Sequence, residues 1–191
     1  MHIRLASTTG RSATSDSTAV HASNAGVHRS KWFKRVAHAR TDMNKPGLYA
    51  RQSDRLGRAV QLGVASGRVL GVSFPAEVPP DAETDHPLLD RVFDYLDGAE
   101  DDFDDADVAL TVPTDQRRVL EALRKVPYGR TVSVEKLVGL AGFDTDSEED
   151  RRTVETALRE NPVPLFVPDH RVRGGGATPP EVAETLRDLE S

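Results

Sequence analysis

Asn161-Pro-Val-Pro-Leu-Phe-Val-Pro-Asp-His-Arg-Val172 is the stretch on which the reading of this chain turns. Its centre, Val163 to Val167, is apolar, and Pro162, Pro164 and Pro168 punctuate it. Proline fixes φ and removes a backbone donor, so this is neither the middle of a helix nor a fully paired strand. It reads as a rigid extended segment that delivers Asp169 and His170 to one fixed place. A carboxylate beside an imidazole on a stiff backbone could move a proton. A proline-rich connector, with a capping Asp169 and a hydrogen-bonded His170, is the blander reading, and spacing alone favours it.

Upstream lie three helical patterns. Thr114 is placed as N-cap of a helix over 115–125, with Val119, Leu120 and Leu123 as its apolar stripe. Val126-Pro-Tyr-Gly129 stops it. Ser133 caps a short helix over 134–141, which Gly142 breaks, and a longer helix follows over 147–160 with Val154, Ala157 and Leu158 facing inward. Helix, short turn, helix is the spacing of a helix-turn-helix, whose second helix can enter a DNA groove. It is equally the spacing of a small helical bundle.

Further upstream the pattern changes. Strands are expected over 48–52, 59–65 and 68–74, the last two joined through Ser66-Gly67 as a hairpin. Residues 86–96 put Leu88, Leu89, Val92, Phe93 and Leu96 at helical spacing, and Asp97-Gly98 ends that helix. The carboxylates at 101, 102, 104, 105 and 107 have no ordered ligand spacing and read as a solvated acidic run. Val108 to Val112 reads as a short strand.

Charge is unevenly placed. Residues 1–46 hold eight Lys/Arg and two Asp/Glu, a net of +6; the other 17 basic and 29 acidic residues leave 47–191 at −12. Only five Lys accompany twenty Arg. This acid-rich, Lys-poor composition resembles that of proteins from salt-loving microbes, where screening within ~3 Å lets an acidic exterior coexist with nucleic acid. Residues 1–46 are Ser/Thr/Ala/His-rich and read as disordered or as mis-annotated leader sequence, with Met43 as an alternative start. There is no cysteine, which excludes disulfides, thiolate metal sites and a Cys nucleophile. The six His are scattered, so no metal site is expected. No apolar run spans a bilayer, so the chain reads as soluble and cytoplasmic, without membrane contact.

The pattern Asn-Pro-Val-Pro, then Pro-X-His-Arg-Val, closely resembles the active-site segment of the O6-alkylguanine-DNA alkyltransferase family. Pro127-Tyr-Gly-Arg-Thr-Val-Ser133 resembles that family's entry to its helix-turn-helix. Its members flip a damaged guanine out of the duplex and take the alkyl group onto a cysteine between that proline and that histidine. Here Asp169 holds the position. The resemblance covers about 47–191 and is specific from Val126 to Val172.

The resemblance implies an α+β chain: a small ribonuclease-H-like domain over 47–112, then a mainly helical, winged-helix-like DNA-binding domain over 113–191. It implies that Arg152 enters the base stack and that Arg159, with Arg151 and Ser133, lies near DNA. It places Asn161, Asp169, His170 and Glu190 at the family's site, with Glu190 hydrogen-bonding His170. It implies double-stranded DNA bearing O6-alkylguanine, and other repair proteins, as partners, and no cofactor.

The departures are specific. Arg173-Gly-Gly-Gly-Ala-Thr-Pro-Pro180 is shorter than the family's pocket loop and lacks its Tyr and Ser. Val134 replaces a tyrosine. Thr153 and Glu155 replace small groove-facing residues, and Glu155 repels phosphates. The expectation is therefore a non-catalytic, alkyltransferase-like DNA-binding protein that senses alkylated guanine. A degenerate fold serving protein interaction is the alternative, and an alkyl acceptor built on Asp169 the third reading.

Overall fold

Three antiparallel strands form the first layer: β1 (Gly47–Ser53), β2 (Arg58–Ala65) and β3 (Arg68–Ser73), in the order β1-β2-β3. The computed structural model describes residues 45–191; the expectations for the leader up to residue 44 lie outside them. Alternation drives the layer, since Ala59, Val60, Leu62 and Val64 are buried along β2. Ser66 and Gly67 take φ of 52° and 73° between β2 and β3, the left-handed pair that a tight hairpin turn demands.

Both sheet edges are covered, which removes unpaired backbone groups from reach of another chain. Ala50 and Leu48 of β1 exchange backbone hydrogen bonds with Glu83, each at 2.8 Å. On β3, Val69 bonds Asp107 and Ala109, each at 2.9 Å, and Val72 N–H donates to the Pro162 carbonyl at 2.9 Å. Residues 108–112 therefore dock on β3 through a single bridge at Val108 and do not form the expected strand.

Helix α1 (Pro87–Leu96) packs on this sheet. His86 caps it, Nδ1 accepting the Leu88 N–H at 3.1 Å. Tyr95 is buried with Leu88, Leu89, Val92 and Leu96, whereas Phe93 is only half-buried. The correction has a physical cause: the Arg51 guanidinium lies 4.8 Å from the Phe93 ring centre and covers it.

The remainder is mainly helical: α2 (Thr114–Leu123), β4 (Val132–Ser133), α3 (Val134–Leu140), α4 (Glu148–Arg159), a 3-10 turn (Asp169–Arg171), β5 (Val172–Arg173) and α5 (Pro180–Leu189). Ser133 and Ser147 cap α3 and α4, each Oγ accepting a backbone N–H at 3.2 Å. Thr114 is not a cap; it lies inside α2, preceded by Pro113, whose side chain has no acceptor to offer. Helices α2, α3 and α4 pack on one another around Leu120, Leu123, Leu137, Val154 and Leu158. Two short strands, β4 and β5, run parallel and pair Val132 with Val172.

One hydrophobic core runs through both halves. Phe103 links them, its ring centre 5.4 Å from that of Tyr95 and 5.0 Å from that of Phe166. Among the described residues the architecture is mixed α+β, with two small sheets and five α-helices. No helix among the described residues is long and apolar enough to cross a membrane.

Candidate functional site

The segment 161–172 is not a straight extended run. It folds into a tight turn in which Val167 N–H donates to the Val163 carbonyl at 2.9 Å and Leu165 takes a φ of 76°. Buried Asn161 braces it from inside: Nδ2 donates to the Val167 carbonyl at 2.9 Å, and Oδ1 accepts the Val163 N–H at 3.2 Å. The prolines remove donors that such a turn could not satisfy. The turn hands the chain to the 3-10 turn Asp169–Arg171.

Asp169 and His170 then face different partners and do not form the adjacent proton-moving pair. Asp169 is fully buried. Its Oδ2 accepts the backbone N–H groups of Ala177 at 2.6 Å and Thr178 at 3.0 Å, and its Oδ1 accepts the Thr178 hydroxyl. One carboxylate thereby fixes the end of the glycine loop. Gly176 is required for this approach, because a Cβ there would lie 2.6 Å from Asp169 Cβ.

His170 turns to the carboxy-terminal helix. Its Nε2 lies 3.1 Å from Glu190 Oε1. Its Nδ1 is buried and has no hydrogen-bond partner among the described residues. Glu190 is the centre of a larger network: Arg171 Nε donates to Oε2 at 3.0 Å, Tyr95 OH to Oε1 at 2.7 Å and Gly129 N–H to Oε2 at 3.3 Å. Arg171 is itself buried and also donates to Asp102 Oδ1 at 2.8 Å and to the Val126 carbonyl at 2.6 Å.

The charges in this network set one another. Burial pushes the Glu190 carboxyl up, but the hydrogen bonds from His170 and Arg171 outweigh it and hold the group at about 2. Burial, followed by the charge of Glu190, pushes the Tyr95 phenol well above its ordinary range.

Sequence reasoning missed several of these partners. Tyr95 and Asp102 come from the first half of the chain, and nothing in their spacing marks them. The acidic run is a partial correction: Asp101 and Asp105 pair with Arg91 and Asp102 pairs with Arg171, so three of its members are held in ion pairs.

Outside the network lies an open cleft of about 970 Å3 between α4, α5, the start of α3 and the glycine loop. Arg151, Arg159, Arg173 and Arg187 line it. Glu155 lines it too, but Arg151 Nε stands 3.2 Å from its Oε1, so its repulsion is answered on its own helix. Arg152 projects from α4 with its side chain 74% exposed, loosely paired with Glu148 at 3.6 Å. Ser133 sits at the head of α3. The structure thus separates the expected residues into a buried group (Asn161, Asp169, His170, Glu190), an exposed group on α4 (Arg151, Arg152, Arg159) and the half-buried Ser133 at the head of α3.

The 6-O-methylguanine DNA methyltransferase DNA-binding-domain model matches residues 114–187. The chain is 36% identical over 107 residues to the methylated-DNA–protein-cysteine methyltransferase of Methanopyrus kandleri, covering 54% of this chain and 77% of that protein. It is 31% identical over 108 residues to that of Metallosphaera sedula, covering 54% and 65%. The chain belongs to the methylated-DNA–protein-cysteine methyltransferase family. Among solved structures it resembles Mycobacterium tuberculosis OGT in complex with DNA, with a TM-score of 0.58 at 23% identity over 75% of this chain and 92% of that one. It also resembles the O6-methylguanine-DNA methyltransferase of Pyrococcus kodakaraensis, with a TM-score of 0.56 at 23% identity over 75% and 99%.

These relatives correct one expectation. They are named as methyltransferases, which are enzymes, so a missing cysteine does not by itself define this chain as a non-enzyme. The sequence supports a narrower statement: the chain has no cysteine onto which an alkyl group could pass.

Proposed function

We propose that this chain binds duplex DNA and recognises alkylated guanine as part of DNA repair. The observation that carries the reading is the cleft beside α4, bordered by the glycine loop that Asp169 anchors. A cleft of about 970 Å3 lies in the range of ordinary ligand sites and can accept a whole nucleotide. In this reading α3 and α4 act as a helix-turn-helix on the duplex. Arg152, the most exposed of the ion-paired arginines and only loosely held by Glu148, enters the stack where the base has left. Arg151, Arg159 and Ser133 hold the backbone. Extrusion costs a few kcal/mol and is cheapest at a damaged base, which supplies selectivity.

The net −12 of residues 47–191 and the preference for Arg over Lys support a high-salt setting, so binding is to be sought up to molar KCl. Base extrusion is tested with 2-aminopurine placed beside O6-methylguanine in a duplex. The reading predicts a rise in its fluorescence on adding the chain, and a smaller rise for the duplex without the lesion. An unchanged signal with both duplexes under conditions where the chain is bound would remove extrusion from the account.

A further inference from the structure

Of the four cleft arginines, only Arg151 has carboxylate partners among the described residues, Glu155 at 3.2 Å and Glu135 at 3.6 Å. Arg159 donates to the Thr156 hydroxyl at 3.1 Å and Arg187 to the His170 carbonyl at 3.1 Å, and both are neutral acceptors. Arg173 forms no side-chain hydrogen bond or ion pair among the described residues. Three uncompensated guanidinium groups therefore share one cleft, in a chain whose residues 47–191 carry a net −12. The carboxylates that face them, Glu135 and Glu155, are the ones Arg151 already holds. Beside Arg173, Gly174 and Gly175 take φ of 119° and 91°. They present backbone without side chains, so a ligand can approach closely.

A guanidinium is a planar fork of donors matched to carboxylate and phosphate oxygens. We propose that Arg159, Arg173 and Arg187 form an oxyanion site in this cleft. It takes the negative group of a nucleotide that enters, either a backbone phosphate or a carboxylate carried on the modified base. The proposal rests on the reading of the cleft as a nucleotide site, and it assigns Arg173 and Arg187, which the resemblance left without a role.

The test uses the full chain and Arg173→Gln, a substitution at a side chain without partners. Anisotropy titrations across KCl compare an unmodified duplex with duplexes carrying O6-methylguanine and O6-carboxymethylguanine. If the oxyanion is a backbone phosphate, the variant weakens all three alike and its log–log salt slope is shallower by about 0.9. If it is a carboxylate on the base, the loss is confined to the O6-carboxymethylguanine duplex. Wild-type affinity and slope on all three overturn the proposal. If the wild-type chain binds no duplex, the DNA reading falls, and inorganic phosphate followed through the arginine Nε–Hε resonances decides instead. Saturable shifts at Arg159, Arg173 and Arg187 sustain the oxyanion site, and unmoved resonances overturn it.

Discussion

Asp169 Oδ2 accepts the backbone N–H of Thr178 at 3.0 Å, so this buried carboxylate is the anchor of the loop beside the cleft. The same oxygen holds Ala177, and Oδ1 holds the Thr178 hydroxyl. Asp169 and the glycine loop are thus one structural unit. The loop needs no bulky residue to close it, because a buried carboxylate ties it down from beneath.

Asp169→Ala leaves two backbone N–H groups and a hydroxyl without their charged acceptor. It is expected to lower stability by roughly 2–4 kcal/mol in urea unfolding. Asp169→Asn keeps one acceptor oxygen and is expected to cost less. An Asp169→Ala variant as stable as the wild type would show that the loop does not depend on this anchor.

Gly176→Ala tests the same contact from the other side. Its Cβ would meet Asp169 Cβ at 2.6 Å, so either the loop or the buried carboxylate has to move. Overpacking of this kind costs about 1–3 kcal/mol. Amide exchange at Ala177 and Thr178 should accelerate with it. Unaltered exchange and stability would mean that the loop shifts freely.

How much of this could be read from residues alone follows from what each element depends on. The three strands, α1, α3 and α4 were legible, because alternation, helical spacing and serine caps are local signals. The segment 161–172 was legible as special but not in shape, since prolines exclude regular structure without choosing between an extended run and a turn. The left-handed Leu165 is imposed by packing and Asn161. Asp102 looked like one carboxylate in an acidic run, yet it reaches Arg171 across the fold. Such long-range pairings leave no periodic trace. Arg173 and Arg187 were invisible for the same reason, as only the folded chain brings them to one cleft.

Tyr95→Phe removes a hydroxyl that donates to the Glu190 carboxylate at 2.7 Å. A hydrogen bond to a charged acceptor supports an expected loss of about 1.5–3 kcal/mol. A thermal or urea midpoint equal to that of the wild type would leave Glu190 held by Arg171, His170 and the Gly129 N–H without help from Tyr95.

Glu190 also carries a pH signature. Its folded pKa is depressed to about 2 from 4.5, so its contribution is present above pH 4.5 and is lost as pH falls towards 2. The size is about 3 kcal/mol. Glu190→Gln should be destabilised at pH 7, by about 3 kcal/mol, because buried Arg171 loses the more buried of its two carboxylate partners and keeps only Asp102. The gap between variant and wild type should narrow as pH drops from 5 to 2. A constant gap over that interval would contradict the depressed carboxyl.

The central claim is lesion recognition through α4 and its cleft. Its most direct test is fluorescence anisotropy of the full chain with an O6-methylguanine duplex and its unmodified control, from low to molar KCl, for wild type and Arg152→Ala. The account predicts tighter binding to the lesion at every salt concentration, with most of that preference lost in Arg152→Ala. Equal affinity of the wild-type chain for the two duplexes, or no binding to either, would contradict it.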